Sequence, residues 1–336
     1  MEAHHVHHTT LERGVLPTGD EYYEPPEPPL EFSDMPHEGS PATPNKVRPN
    51  ILFVREFFND SMEMPDGRDV DFWSFRDENG TKTWPAPPMR LRQGQVAHTL
   101  VKPSKSVHTI HHHGIEPGPH DDGVGHTSFE VSGGYTYQWR PAHAGTYFYH
   151  CHVNTVLHFE MGMWGGVIVD PPEGRGYVFP GAYPYQVEAF WPSSGWDPSK
   201  HDLNHAAGLD GENAGLNRYR PRYFHINGAF GSRALRSSRS MIRARVGQTI
   251  LIRTLNAGYA PATVSFGGLI GLFVGSDGRR LPAPFEATKW TMGGAERYDV
   301  LLRPTRAGTY RGRFEHQDYL TGQVIGVVEA EILVTT

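Results

Sequence analysis

Hydrophobic and polar positions along this chain alternate in short runs broken by turn residues, which predicts strands rather than helices. Ile51–Phe58 and Asp69–Phe75 read as two strands, with Pro65-Asp66-Gly67 as the turn between them. Met89–Val96 continues into a strand ending near Pro103, and Tyr135–Trp139 alternates cleanly. Gly145–Tyr149 reads as another strand, and Trp164–Val169 as an apolar one stopped by Pro171-Pro172. Further on, Tyr183–Phe190 is a possible strand, and Tyr223–Gly228 opens a second block. No helix of consequence is expected.

The landmarks repeat. Arg92-Gln-Gly-Gln95 recurs as Arg245-Val-Gly-Gln248, and Pro141–Tyr147 recurs as Pro304–Tyr310, at offsets of 153 and 163 residues. Such self-similarity implies a duplicated β-domain. The expected fold class is all-β, with two Greek-key sandwiches whose ends offer loops for a site. The expected division is an extended, Pro-, Glu- and His-rich arm over residues 1–45, a first domain over 46–172, a Gly-, Pro- and Asn-rich connector over 173–221, and a second domain over 222–336.

Composition adds limits. In 336 residues there are 38 Gly and 28 Pro, and aromatics make up 12%, as suits a turn-rich β-protein. A net charge of −6 without a basic run argues against nucleic acid as a partner. No segment approaches a membrane span, and Met1–His8 lacks the apolar stretch of a secretory signal. As written the chain is expected to be cytoplasmic, unless an export signal has been lost.

The chemistry gathers around the only cysteine. In Tyr149–Met163, Cys151 lies between His150 and His152, with His158 seven residues on and Met163 five beyond that. One thiolate, two imidazoles and a weak thioether make a blue-copper site. Val107–Gly114, with four histidines, supplies candidates for the missing imidazole. Structural zinc would bring several cysteines at close spacing, and an inert core cysteine would not be bracketed by histidines. Strand pleating sorts the side chains. His108, Cys151, His158 and Met163 form the blue site, with His108 and His112 on one face of their strand. His111, His113, His150 and His152 form a second imidazole cluster. The peptide bonds flanking Cys151 join the two groups.

The pattern His108-x-x-His111-x-His113-Gly114, followed by His150-Cys151-His152 and Gly162-Met163, resembles that of two-domain multicopper oxidases, which are related to laccases and to copper nitrite reductases. The resemblance covers residues 50–336. It implies two cupredoxin domains and type 1 copper on His108, Cys151, His158 and Met163. It also implies type 2/type 3 copper on His111, His113, His150 and His152, where dioxygen is reduced. The implied partners are a small-molecule or metal-ion electron donor and dioxygen, and the implied assembly is a homotrimer. Ile226–Gly228 and Gly293–Leu301 are similar to the ligand-free middle domain of laccases. A full trinuclear cluster needs as many histidines again from a second domain. Here the counterparts of His150, Cys151 and His152 are Arg313, Phe314 and Glu315, and the counterpart of His108 falls near Pro261.

Two other functions stay open: an electron-transfer or copper-binding cupredoxin with an incomplete cluster, and nitrite reduction. His4, His5, His7 and His8 could complete the cluster or belong to a mobile tail or tag. His98, His120, His126 and His143 are expected at the surface or behind the ligands, and His201 and His205 as a solvated surface pair. Glu116, Asp121 and Asp122 are expected to form an acidic turn, with proton donation or docking of a cationic donor as the functional alternative.

Overall fold

The computed structural model describes residues 48–104, 106–125, 130, 131 and 133–336. The N-terminal histidines and His126 lie outside the described residues. The architecture is all-β. In the first half, Asp69–Arg76, Ile51–Glu63, Ala97–Val101 and Tyr135–Trp139 make one four-stranded sheet. Ala86–Arg92, Trp164–Asp170, Gly145–His150 and His111–His113 make the other. Met89, Tyr137, Trp139, Tyr149, Val167 and Val169 pack in the core formed with these strands. Met89–Val96 does not run straight on: a turn at Gln93–Val96 divides it into two strands that lie in different sheets.

A seven-stranded and a five-stranded sheet follow. Among their core residues are Trp191, Ile252, Val264, Phe273, Val300, Phe314 and Ile332. The strand Val187–Trp196, inside the stretch expected to be connector, belongs to the seven-stranded sheet. It runs parallel to Ile250–Asn256, as Ile51–Glu63 runs parallel to Ala97–Val101.

The duplicated motifs make the same hydrogen bonds in each half. Gly94 N donates to Pro141 O at 2.9 Å, and Gly247 N to Pro304 O at 2.9 Å. Arg92 N donates to Gln95 Oε1, and Arg245 N to Gln248 Oε1, both at 2.8 Å. Both turn glycines have positive φ, +79° and +81°, where a side chain would be strained. At the site the halves part. His150 pairs across the strands with His111, whereas Arg313 pairs with Ser265.

The halves meet through buried charge and aromatic packing. Arg90 bridges Asp170 and Glu188, and Arg253 bridges Glu188 and Asp299. Trp84 packs against Trp164, Trp196, His225 and Phe230. The His111–His113 strand lies at the edge of its sheet, and one short helix, Thr155–Glu160, follows the cysteine.

Candidate metal centres

The strand Gly145–His150 ends where the chemistry begins. Beyond it, Cys151 N donates to Met163 O at 3.0 Å, and Met163 N donates to His158 O at 3.0 Å. These bonds fold the Cys151–Met163 loop back on itself, and Cys151 and Met163 are both buried in the same core cluster. The turn before Met163 needs Gly162. Its φ is +106°, and a Cβ there would lie 2.2 Å from Trp84 Nε1.

Cys151 Sγ faces His158 Nδ1 at 3.3 Å and His108 Nδ1 at 3.7 Å. His158 Nε2–H donates to His205 O at 3.3 Å, which leaves the Nδ1 lone pair turned towards the sulfur. His108 stacks on Phe57, with ring centroids 4.3 Å apart, and its Nε2 meets Ser106 Oγ at 3.0 Å. Burial lowers the pKa of both imidazoles to about 3, so both are neutral donors. Burial also pushes the Cys151 thiol up to about 12; a thiolate here calls for a cation.

The second group lies along the sheet edge. His111, His113 and His150 bring ligand atoms within 4.8 Å of one another. His111 Nδ1–H donates to Asp122 O at 2.7 Å, and His150 Nδ1–H to Cys151 O at 2.8 Å. Each bond frees an Nε2 lone pair. His113 Nδ1 lies 3.3 Å from His150 Nε2, close to the edge of a tetrahedron with metal–nitrogen bonds of about 2.0–2.1 Å. His152 lies just outside this triad, its ring 5.6 Å from His111 and 5.7 Å from His150. Burial lowers His113 to about 3 and His150 well below the usual imidazole range.

Both donor sets therefore fit copper: a buried sulfur between two aligned imidazole lone pairs, and a trio of imidazoles gathered at one point. Residues 78–174 match the multicopper oxidase family model. This stretch is similar to a multicopper oxidase domain. It contains every proposed ligand, from His108 to Met163. L-ascorbate oxidase of Cucumis sativus is 34% identical over 105 residues, which are 29% of this chain and 17% of that one. The copper-containing nitrite reductase of Neisseria gonorrhoeae is 26% identical over 230 residues, covering 68% of this chain and 53% of that one. The chain thus spans about half the length of the nitrite reductase and far less of the ascorbate oxidase. The blue copper oxidase of Nitrosomonas europaea is similar in structure, with a TM-score of 0.67 and 25% identity, over 84% of this chain and 86% of that one.

Several sequence expectations are corrected around this domain. His108 precedes the short strand, so it does not share a face with His112. His112 instead enters the core, bonded to Thr99 Oγ1 at 3.0 Å and lying over Trp139. His98 is buried against Gln138. His201 and His205 are not a solvated pair. His201 is buried against Trp196 and bonded to the Asp71 carbonyl. His205 is half-buried, its ring 4.3 Å from that of His158 and 5.0 Å from that of His108. The spacing of four would put His201 and His205 on one face of a helix, but the chain here is irregular. Of the acidic turn, Glu116 is exposed, but Asp121 is fully buried. Its Oδ1 accepts from Gln138 N at 2.6 Å, and burial raises its pKa to about 7.

In the second half, His316 bonds Ser193 Oγ and His225 bonds Ser194 Oγ, both as core residues. Beside the histidine trio the second half presents Arg297. Its guanidinium lies over Phe148 and helps to keep His113 neutral.

Proposed function

We propose that this protein is a copper-dependent oxidoreductase of multicopper oxidase type. It takes single electrons from a phenol, an aromatic amine or a reduced metal ion and delivers them to dioxygen. His108, Cys151, His158 and Met163 would hold type 1 copper, and His111, His113, His150 and His152 the copper at which dioxygen is reduced. Bound copper supplies reversible one-electron exchange at the first site and dioxygen chemistry at the second.

The chain's own part is to hold donors ready, exclude water and connect the sites. Carbonyl groups fix the tautomers of His111, His150 and His158 before any metal arrives. Burial keeps the imidazoles of His108, His150 and His158 neutral, so protons do not compete for their lone pairs near neutral pH. The observation that carries the reading is the adjacency of His150 and Cys151, one in each donor group. A single peptide unit then makes a covalent path between the sites.

A second reading is favoured by one observation. At the histidine trio the second half contributes Arg297 rather than an imidazole. A protein of this kind would be an electron-transfer cupredoxin with an incomplete cluster, unless a neighbouring subunit of a trimer supplies the missing ligands. Oxygen uptake by the copper-loaded protein with a phenolic donor separates the two. Steady uptake supports the oxidase. A type 1 colour without uptake supports the electron carrier. Turnover of nitrite in place of oxygen would assign it instead to the chemistry named for its Neisseria relative.

A further inference from the structure

The type 1 ligands are closed off from solvent. His158 and His108 are 0% and 1% exposed, so no donor can touch either ring. The cover is the irregular chain at 197–219. Asn154 Nδ2 donates to Ala207 O at 2.9 Å, and Glu160 Oε1 accepts from Asp197 N at 2.6 Å. Leu203, Ala207 and Leu216 pack on Leu157 and Met161 of the short helix. Lys200 Nζ closes the loop on Gly215 O at 2.8 Å.

His205 sits where this cover meets the site. Its carbonyl takes the Nε2–H of His158, and its ring contacts both ligand rings. Its own Nε2–H donates to Val107 O at 3.2 Å, which leaves Nδ1 with a lone pair. Phe57 and Trp73 also border the ligand rings, but neither offers a nitrogen or oxygen acceptor. Electron transfer weakens steeply with distance, so a donor must dock against one of these half-buried rings.

Resting on the copper reading above, we propose that His205 is the donor-docking residue of the type 1 site, accepting a hydrogen bond from the O–H of a phenol or the N–H of an aromatic amine. The electron balance is simple. A docked phenol loses one electron and one proton to become a neutral phenoxyl radical. The electron reduces copper(II) held by Cys151 to copper(I), and the proton leaves to solvent water. His205 orients the donor and is itself unchanged.

The test follows bleaching of the visible band of the copper-loaded, oxygen-free protein, with a phenol and separately with ferrocyanide, which has no O–H or N–H to donate. His205→Phe keeps a ring and loses the acceptor. It should slow bleaching by the phenol roughly tenfold, the loss of about one hydrogen bond, and leave bleaching by ferrocyanide and the band itself unchanged. His205→Gln, which can both donate to Val107 O and accept from the donor, should keep most of the phenol rate. If the phenylalanine variant loses the band, His205→Leu takes its place. Equal slowing with both donors, faster bleaching, or no change with either would overturn the proposal. A wild type without any band would instead overturn the copper reading.

Discussion

At the scale of single residues, Cys151 carries the most consequence. Its thiol is buried between two imidazoles that have no other use for their inward nitrogens. Cys151→Ser should abolish the visible thiolate-to-copper band and leave the β-fold intact by circular dichroism. Met163 is expected to be a weak axial donor, so Met163→Leu should keep the colour and raise the reduction potential; loss of copper would make Met163 more than axial. The grouping of Cys151 with His108 and His158 was legible because a lone cysteine bracketed by histidines points to a metal site. His205 was not legible, because an irregular loop has no period that tells which side it covers. Asp121 was half legible: its acidity was plain and its burial was not. Its pKa of about 7 lies above the ordinary 3.8. Its contribution to stability is therefore fully present below pH ~4 and lost as pH rises through about 7. In urea unfolding of the metal-free protein, Asp121→Asn should gain on the wild type above neutral pH by roughly 2–4 kcal/mol. Parallel stability curves would mean that this carboxyl is hydrated.

At the scale of elements, the site depends on where one strand stops. Gly145–His150 pairs with His111–His113 in a register that puts His150 opposite His111. The even spacing of the histidines suggested that they share a face, but the pairing and its register belong to the tertiary fold. The return from the short helix to Met163 is a different matter. It depends on Gly162, whose φ of +106° and contact with Trp84 leave no room for a Cβ. Trp84 is 78 residues away in sequence, so no local pattern could announce the contact. Gly162→Ala should destabilise the protein by at least about 1–3 kcal/mol in thermal or urea unfolding. It should also disturb the copper band, because the Met163 backbone bonds to Cys151 and His158 shift with it. An unchanged band and stability would show that the loop can relax around the added methyl.

At the scale of the whole molecule, the duplication explains both the fold and the asymmetry of its chemistry. Matching turns made the repeat visible, and the hydrogen bonds at Gly94 and Gly247 reproduce each other. The second copy keeps the frame and replaces the ligands. Arg313 takes the register position of His150, and His316 serves the core through Ser193. The strand Val187–Trp196 was harder to place, because Gly- and Pro-rich flanks hid its membership of the second sheet. One chain thus brings together a buried Cys151 with His108 and His158, and a separate group of three histidines, His111, His113 and His150. The most direct measurement is copper content together with the visible spectrum of the purified, copper-loaded protein, taken on the wild type and on Cys151→Ser. The expected result is an intense thiolate-to-copper band in the wild type, absent from the serine variant, which retains the copper of the histidine site. A colourless wild type at full copper loading would contradict the assignment of this chain as a type 1 copper protein.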